Sequence, residues 1–231
     1  ICHLPFAIRY LPFIMLDYLI IGHIAQDITP KGIMLGGTVS YSALTAKALG
    51  LNVGAVTAYA EGAVLSGLET IAVHHIRSER STTFENVYTP TGRVQTLHAR
   101  ADNLTHDSVP REWRGAPIVH LAPIDDEIDP NIVDHFSSAL IGITPQGFMR
   151  IWDKQGHVSR GEWTSAKKLL GVAGATVISI EDVEGDWRLA ESWAAMAKIF
   201  VVTQANDGAT LFVNNERFHY NAPAVEVVEA T

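Results

Sequence analysis

Leu35-Gly36-Gly37-Thr38-Val39-Ser40-Tyr41-Ser42-Ala43-Leu44-Thr45-Ala46-Lys47-Ala48-Leu49-Gly50 is the stretch whose reading decides the fold. Its two adjacent glycines leave the backbone without Cβ atoms where a helical pattern begins, so a ligand arriving there meets main-chain N–H groups directly. Thr38 or Ser40 is placed to cap the helix, Tyr41, Leu44, Ala48 and Leu49 share one face, and Gly50 supplies a left-handed stop. A lone glycine pair equally well makes a tight turn into a core helix. The flanking residues separate the two readings. Upstream lie the apolar run Tyr18-Leu19-Ile20-Ile21, Gly22 and then Asp27, and downstream another apolar run ends at Val56-Thr57. Strand, ligand-facing loop, glycine pair, helix and strand follow one another.

The rest of the chain fits one α/β domain. Of its 231 residues 47% are hydrophobic, enough for a stable core in a single globular unit. Seventeen Lys and Arg stand against 25 Asp and Glu, a net charge of -8 with no basic run, which argues against a nucleic-acid partner and for a small ligand. A polyphosphate on so acidic a protein needs local backbone N–H groups and a bound cation such as magnesium. Cys2 is the only cysteine, so no internal disulfide or cysteine metal cluster forms. Residues 1–14 are apolar but broken by two prolines and an arginine, and they precede a plausible initiator, Met15. They read as an extension, neither membrane span nor signal peptide, and the protein as cytoplasmic.

Leu16 to Ile28 reads as a central buried strand that ends in the loop bearing Asp27, beyond a strand's carboxyl end where ligands of open α/β sheets bind. Within residues 71–100, Thr82 to Tyr88 and Val94 to His98 form a hairpin around Thr89-Pro90-Thr91-Gly92, with Phe84, Asn86 and Tyr88 on one face. His74 and His75 are adjacent and point to opposite faces, and no zinc spacing appears among the ten histidines. From Pro117 short apolar runs alternate with helical patterns: Ile118–Leu121, a helix capped by Asp129-Pro130 and running to about Ser138, Leu140–Ile143, Thr176–Ile180 and Ile199–Thr203. A hairpin from Thr210 to Tyr220 turns at Asn214-Asn215, and Val225–Val228 is a further strand. Arg150 reads either as a surface arginine beside the Asp153–Gly156 turn or as a contact for an anion.

In order and spacing, Gly22, Asp27, Gly36-Gly37 and Leu49-Gly50 resemble the N-terminal half of the PfkB, or ribokinase-like, family of sugar and nucleoside kinases. The resemblance implies a three-layer α/β fold over residues 15–231, with a mostly parallel central sheet, helices on both faces and a small β lid at about residues 71–100 that is often used for homodimer contacts. It implies ATP-dependent, magnesium-assisted phosphorylation of a sugar or nucleoside hydroxyl. Asp27, Gly36, Gly37, Thr38 and Arg150 would then hold the acceptor, Asp182 magnesium, and Thr203 and Gly208 the nucleotide.

The sequence departs from the family at several points. Ala25 and Tyr41 replace asparagines, Thr57–Gly62 replaces a glycine-rich acidic segment, the sugar-holding Glu is missing near Pro123, Ser179 replaces an amide, and Ala205 replaces the first glycine of the nucleotide loop. Glu229-Ala230-Thr231 loosely matches the opening of Asp-Thr-Thr-Gly-Ala-Gly-Asp, and the glycine-rich helix start and the catalytic Asp of that motif do not follow. The resulting expectation is that the chain as written does not turn over at a kinase-like rate. The alternative is a sugar- or nucleoside-binding or regulatory module of kinase ancestry.

Overall fold

The computed structural model describes residues 15–89 and 92–224. The extension 1–14, the turn residues 90–91 and the strand expected at Val225–Val228 lie outside them. Along the chain come β1 (Tyr18–Ile21), β2 (Ala25–Thr29), β3 (Gly32–Gly36), α1 (Thr38–Ala48), β4 (Val53–Tyr59) and β5 (Ala72–Arg77). Next are β6 (Thr83–Thr89), β7 (Gly92–Ala99), β8 (Ile118–Leu121) and β9 (Leu140–Ile143). The short hairpin β10 (Arg150–Trp152) and β11 (Val158–Arg160) precedes α2 (Ala166–Val172), β12 (Ala175–Ser179) and α3 (Trp187–Ala194). β13 (Ile199–Thr203), β14 (Ala209–Val213) and β15 (Glu216–Tyr220) complete the order.

Nine described strands make the central sheet, in the order β15-β14-β13-β12-β9-β8-β1-β4-β5. It is parallel from β13 to β5, and the antiparallel pair β14–β15 extends one edge. Side chains alternate across it as the period of two requires: Leu19 and Ile21 join α2 and α3 in one core, while Ile20 joins α1 in the other. Helices therefore cover both faces. β14 and β15 turn at Asn214 and Asn215, both at positive φ (53° and 61°), which matches the twist of a two-residue hairpin.

The N-terminal apolar run is two strands rather than one. At Gly22 the chain leaves the central sheet, because the next N–H groups are captured by side chains: His23 donates to Glu127 Oε1 (2.8 Å) and Ile24 to Thr57 Oγ1 (3.0 Å). β2 then pairs with β3 and with β6, and β6 with β7, to form a separate sheet in the order β3-β2-β6-β7. This lid draws on residues 25–36 as well as on the expected hairpin, whereas β5, from the beginning of the 71–100 span, belongs to the central sheet. Asp27 is thus on a lid strand, opposite Met34, and not in a loop.

Helix α1 buries a face different from the expected one. Val39, Ser40, Ala43 and Ala46 lie against the sheet, while Tyr41 and Leu49 are 52% and 77% exposed. Small residues let the helix sit close on Ile20, Val53 and Ala55, which leaves the bulky side chains outside. No side chain caps it: Gly37 is the N-cap and Ser40 Oγ donates to the Gly36 carbonyl (2.8 Å). Asp129 does cap, accepting from Asn131 N (2.9 Å), but the segment it opens is a short 3₁₀ turn, Pro130–His135.

Candidate functional site

In the central sheet the chain passes from β1 to β4 and β5 on one side and then to β8 and β9 on the other, so a crevice opens beyond the carboxyl end of β1. The lid stands over that crevice. Ala25, Asp27, Phe84, Asn86, Arg93 and Gln95 from the lid face Gly37, Thr38 and Tyr41 from α1. Ile124, Gln146 and Arg150, from the segments after β8 and β9, complete a cavity of about 150 Å³.

Among the described residues, Asp27 is the only carboxylate lining it. Burial raises its pKa, and the nearby Arg150 guanidinium opposes that rise. The carboxylate makes no hydrogen bond to any described residue, so both oxygens remain as acceptors for donors entering the cavity. Its position depends on Gly36. A Cβ at Gly36 would fall on Asp27 Oδ2 and 2.7 Å from its Cγ, so the missing side chain is the space the carboxylate fills. Gly37 has a different role: at φ 88° it turns the chain into α1, and a Cβ there would lie 2.8 Å from Ala25 N and 2.9 Å from the His23 carbonyl oxygen. The free N–H groups of the first helical turn begin at Thr38, beside the same cavity.

Arg150 donates from Nη1 to the Ile124 carbonyl (2.8 Å) and lies 5.3 Å from the Phe84 ring centroid. Removal from water brings its pKa down to about 10, against the attraction of Asp182. Arg150 lines the cavity with Asp27 and Gln146. Asp182 lines an adjoining cavity of about 150 Å³ with Arg160, Glu181 and Glu184. Oδ1 accepts from Gln146 Nε2 (2.8 Å) and Oδ2 from Ser179 N (2.8 Å), which leaves lone pairs on both oxygens. One such carboxylate, with water and phosphate oxygens, suits magnesium, which keeps much of its hydration.

Thr203 and Gly208 line neither cavity. Thr203 pairs in register with Ser179 and donates to the Ile178 carbonyl (3.2 Å). A Cβ at Gly208 would meet the Tyr220 carbonyl oxygen, so packing against the end of β15 accounts for that glycine. Ala205, in place of the family glycine, is held at φ 49°, a conformation that glycine adopts more easily.

Sequence reading missed Arg93, Gln95 and Gln146, together with a buried polar junction under the lid. His23 Nε2 donates to the Asp102 carbonyl (2.9 Å), and His23 Nδ1 lies 2.8 Å from Thr82 Oγ1 and 3.2 Å from Asp125 Oδ1. Thr82 Oγ1 is placed to give its one hydroxyl proton to Asp125 Oδ2 (3.0 Å) and to accept from His23, an arrangement that favours the protonated imidazole. Glu127 and Asp125 raise the His23 pKa against the opposing effect of burial. Both Glu127 oxygens accept backbone N–H groups, from His23, Ile124 and Asp125. An imidazolium clamp, rather than a cation site, explains this trio.

Several solved structures share this architecture. A pyrophosphate-dependent kinase of the ribokinase family in its sulfate complex superposes with a TM-score of 0.77 at 20% identity, over 91% of this chain and 80% of that one. The fold is ribokinase-like. A pyrophosphate-dependent kinase of that family complexed with a pyrophosphate analogue and myo-inositol gives 0.76 at 21% identity, over 91% and 80% of the two chains. Ribokinase from Thermotoga maritima gives 0.64 at 16%, over 94% and 81%. No family model and no curated protein matches the sequence. The ribokinase-like fold accounts for the cleft between lid and sheet and for its position at the carboxyl ends of β1, β8 and β9. No described helix is long and apolar enough to cross a membrane.

Proposed function

We propose that this chain binds a sugar or other polyol in the cavity under the lid and presents one hydroxyl for phosphoryl transfer. The observation that carries this reading is the Asp27 carboxylate, unpartnered among the described residues, seated over Gly36 and facing the first turn of α1. A carboxylate in that position accepts from two neighbouring hydroxyls, and the free N–H of Thr38 binds a hydroxyl or phosphate oxygen. Arg150 supplies donors from the opposite wall. Asp182 would hold magnesium, which screens the charge of the donor phosphates when bound. Thr203 and Gly208 belong to the loop that would border a nucleotide. The pyrophosphate-dependent neighbours make pyrophosphate a donor to test beside ATP, and the myo-inositol complex makes a cyclic polyol the first acceptor to try.

A binding or regulatory module is the second reading, and one observation favours it. The acceptor cavity is lined by a single carboxylate, Asp27, and Asp27 is committed to holding hydroxyls, so no second described carboxylate stands there as a base. The test is incubation with myo-inositol and a panel of hexoses and nucleosides, with magnesium and either ATP or pyrophosphate, followed by phosphorus NMR. A new phosphate ester that disappears with Asp27→Ala supports phosphoryl transfer, and Asp27-dependent binding without ester supports the module. Absence of binding across the panel overturns both.

A further inference from the structure

The lid is two hairpins, β2–β3 and β6–β7, so the chain crosses between lid and central sheet four times, and three of those crossings meet at one side chain. His23 lies on the first, between β1 and β2. Its Nδ1 is 2.8 Å from Thr82 Oγ1 on the second, just ahead of β6, and its Nε2 is 2.9 Å from the Asp102 carbonyl oxygen on the last, just after β7. Thr82 ties the same crossings together: its hydroxyl accepts from Ala101 N (3.0 Å) and its carbonyl from Gln26 N of β2 (2.8 Å). The main-chain N–H of His23 goes to Glu127 Oε1 (2.8 Å), in the loop after β8. Ala25 and Ile124, on either side of this junction, both line the acceptor cavity.

The ring is fully buried, and a neutral imidazole does not satisfy what surrounds it. Nε2 faces a carbonyl oxygen, which only accepts, so this nitrogen carries a proton. Nδ1 lies 3.2 Å from Asp125 Oδ1, an oxygen without a hydrogen bond of its own, and faces a hydroxyl placed to give its proton to Asp125 Oδ2. A second ring proton answers both oxygens; without it, a lone pair points at a buried carboxylate. Four other charged groups bear on the ring. Burial lowers the His23 pKa, and the charges of Glu127 and Asp125 outweigh that effect. Arg100 Nε stands 3.5 Å from Asp125 Oδ2, and Arg150 lies in the field of both carboxylates. Burial, and then the charge of Asp125, raise the Glu127 pKa to about 7.

We infer that His23, as an imidazolium, is a positioning residue for the acceptor cavity: it pins three crossings of the lid to the loop after β8, and loss of its ring proton releases the lid from the sheet. The pin is set below the unfolded-state value of 6.5 and is lost as pH rises through the folded one. The inference rests on the polyol reading for the ligand, and not for the motion of the lid.

The experiment has two arms. In the first, spin labels at Val87→Cys on the outer face of the lid and Lys47→Cys on α1, in a Cys2→Ser background, report the distance between lid and body by double electron–electron resonance at pH 6 and pH 9. Circular dichroism checks that each variant folds. The expected result is a narrow distribution at pH 6 that broadens toward longer distances at pH 9. Adding His23→Gln, which cannot take the charge, or Asp125→Asn, whose amide donates to a neutral ring, should abolish that response. An unchanged distribution between the two pH values overturns the pin. A response that persists in both added variants belongs to Glu127 and overturns the assignment to His23. The second arm is calorimetric titration with myo-inositol at the same pH values. A lid competent in about a fifth of the molecules weakens apparent affinity about fivefold, the loss expected at pH 9 in wild type and absent in Asp125→Asn. Equal affinity at both pH values overturns the positioning role. A lid that responds to pH while no polyol binds at either value removes the acceptor reading and upholds the pin.

Discussion

Replacing Gly36 by Ala tests the site through a residue that need never touch the ligand. The backbone at Gly36 is not in the left-handed region, so alanine fits the strand, but its Cβ falls on Asp27 Oδ2 and 2.7 Å from Cγ. The carboxylate, at the end of a rotatable side chain, must swing away, at a rotamer cost of about 0.5–1.5 kcal/mol. The gain from a less flexible unfolded chain, about 0.4–1 kcal/mol, roughly cancels that cost, so thermal stability is expected to stay nearly constant. Binding has no such compensation. A charge-assisted hydrogen bond contributes about 1.5–3 kcal/mol, so Gly36→Ala should weaken polyol affinity about 10- to 150-fold, as Asp27→Ala does. With Asp27 already alanine, the clash disappears, and adding Gly36→Ala should cost less than about 0.5 kcal/mol more. Calorimetric titration of the four proteins closes this cycle. Losses that add in the double variant, or wild-type affinity in Gly36→Ala, would refute the coupling between glycine and carboxylate.

Gly37→Ala should behave differently: φ 88° and contacts at 2.8–2.9 Å with immovable backbone predict a loss of more than about 1 kcal/mol of stability, read by urea denaturation. The His23 pKa is raised, so its contribution is complete below the unfolded value of 6.5 and is lost as pH rises through the folded one; Asp125, with a lowered pKa, contributes from the acid side upward. Stability measured from pH 6 to 9 should therefore fall, and His23→Gln should flatten that alkaline limb. His120 is the opposite case: burial between Tyr18 and Thr144 lowers its pKa to about 4. The neutral ring should therefore lose about 3 kcal/mol of stability as pH drops from 6.5 toward 4, and His120→Gln should reduce that acid dependence.

The parallel body of the fold was legible because its strands are short apolar runs with clear stops. Ile118–Leu121 and Leu140–Ile143 begin and end where the sequence places them. What pattern alone does not carry is which sheet a strand joins. Leu16 to Ile28 is continuously apolar apart from a few residues, and only the capture of two N–H groups by Glu127 and Thr57, far along the chain, divides it between two sheets. The same limit hid half of the cavity. Arg93 and Gln95 line the cavity of Asp27 only because β2 pairs with β6 in the register Asp27–Phe84 and β6 pairs with β7. In α1 the expected apolar face was misread because small residues, and not large ones, make the closest contact with the sheet. Asp27 and the glycine pair were legible as a unit, but the reason differs: the first glycine makes room for the carboxylate itself.

The most direct test of the central claim, that the cavity between Asp27 and the start of α1 binds a polyol, is an amide chemical-shift titration of the ¹⁵N-labelled protein with myo-inositol and hexoses. Saturable shifts concentrated at Asp27, Gly37 and Thr38, and abolished by Asp27→Ala, are the predicted result. Shifts that leave those three amides unmoved while others, such as Thr203 to Gly208 or Arg100 to Asn103, respond would contradict it.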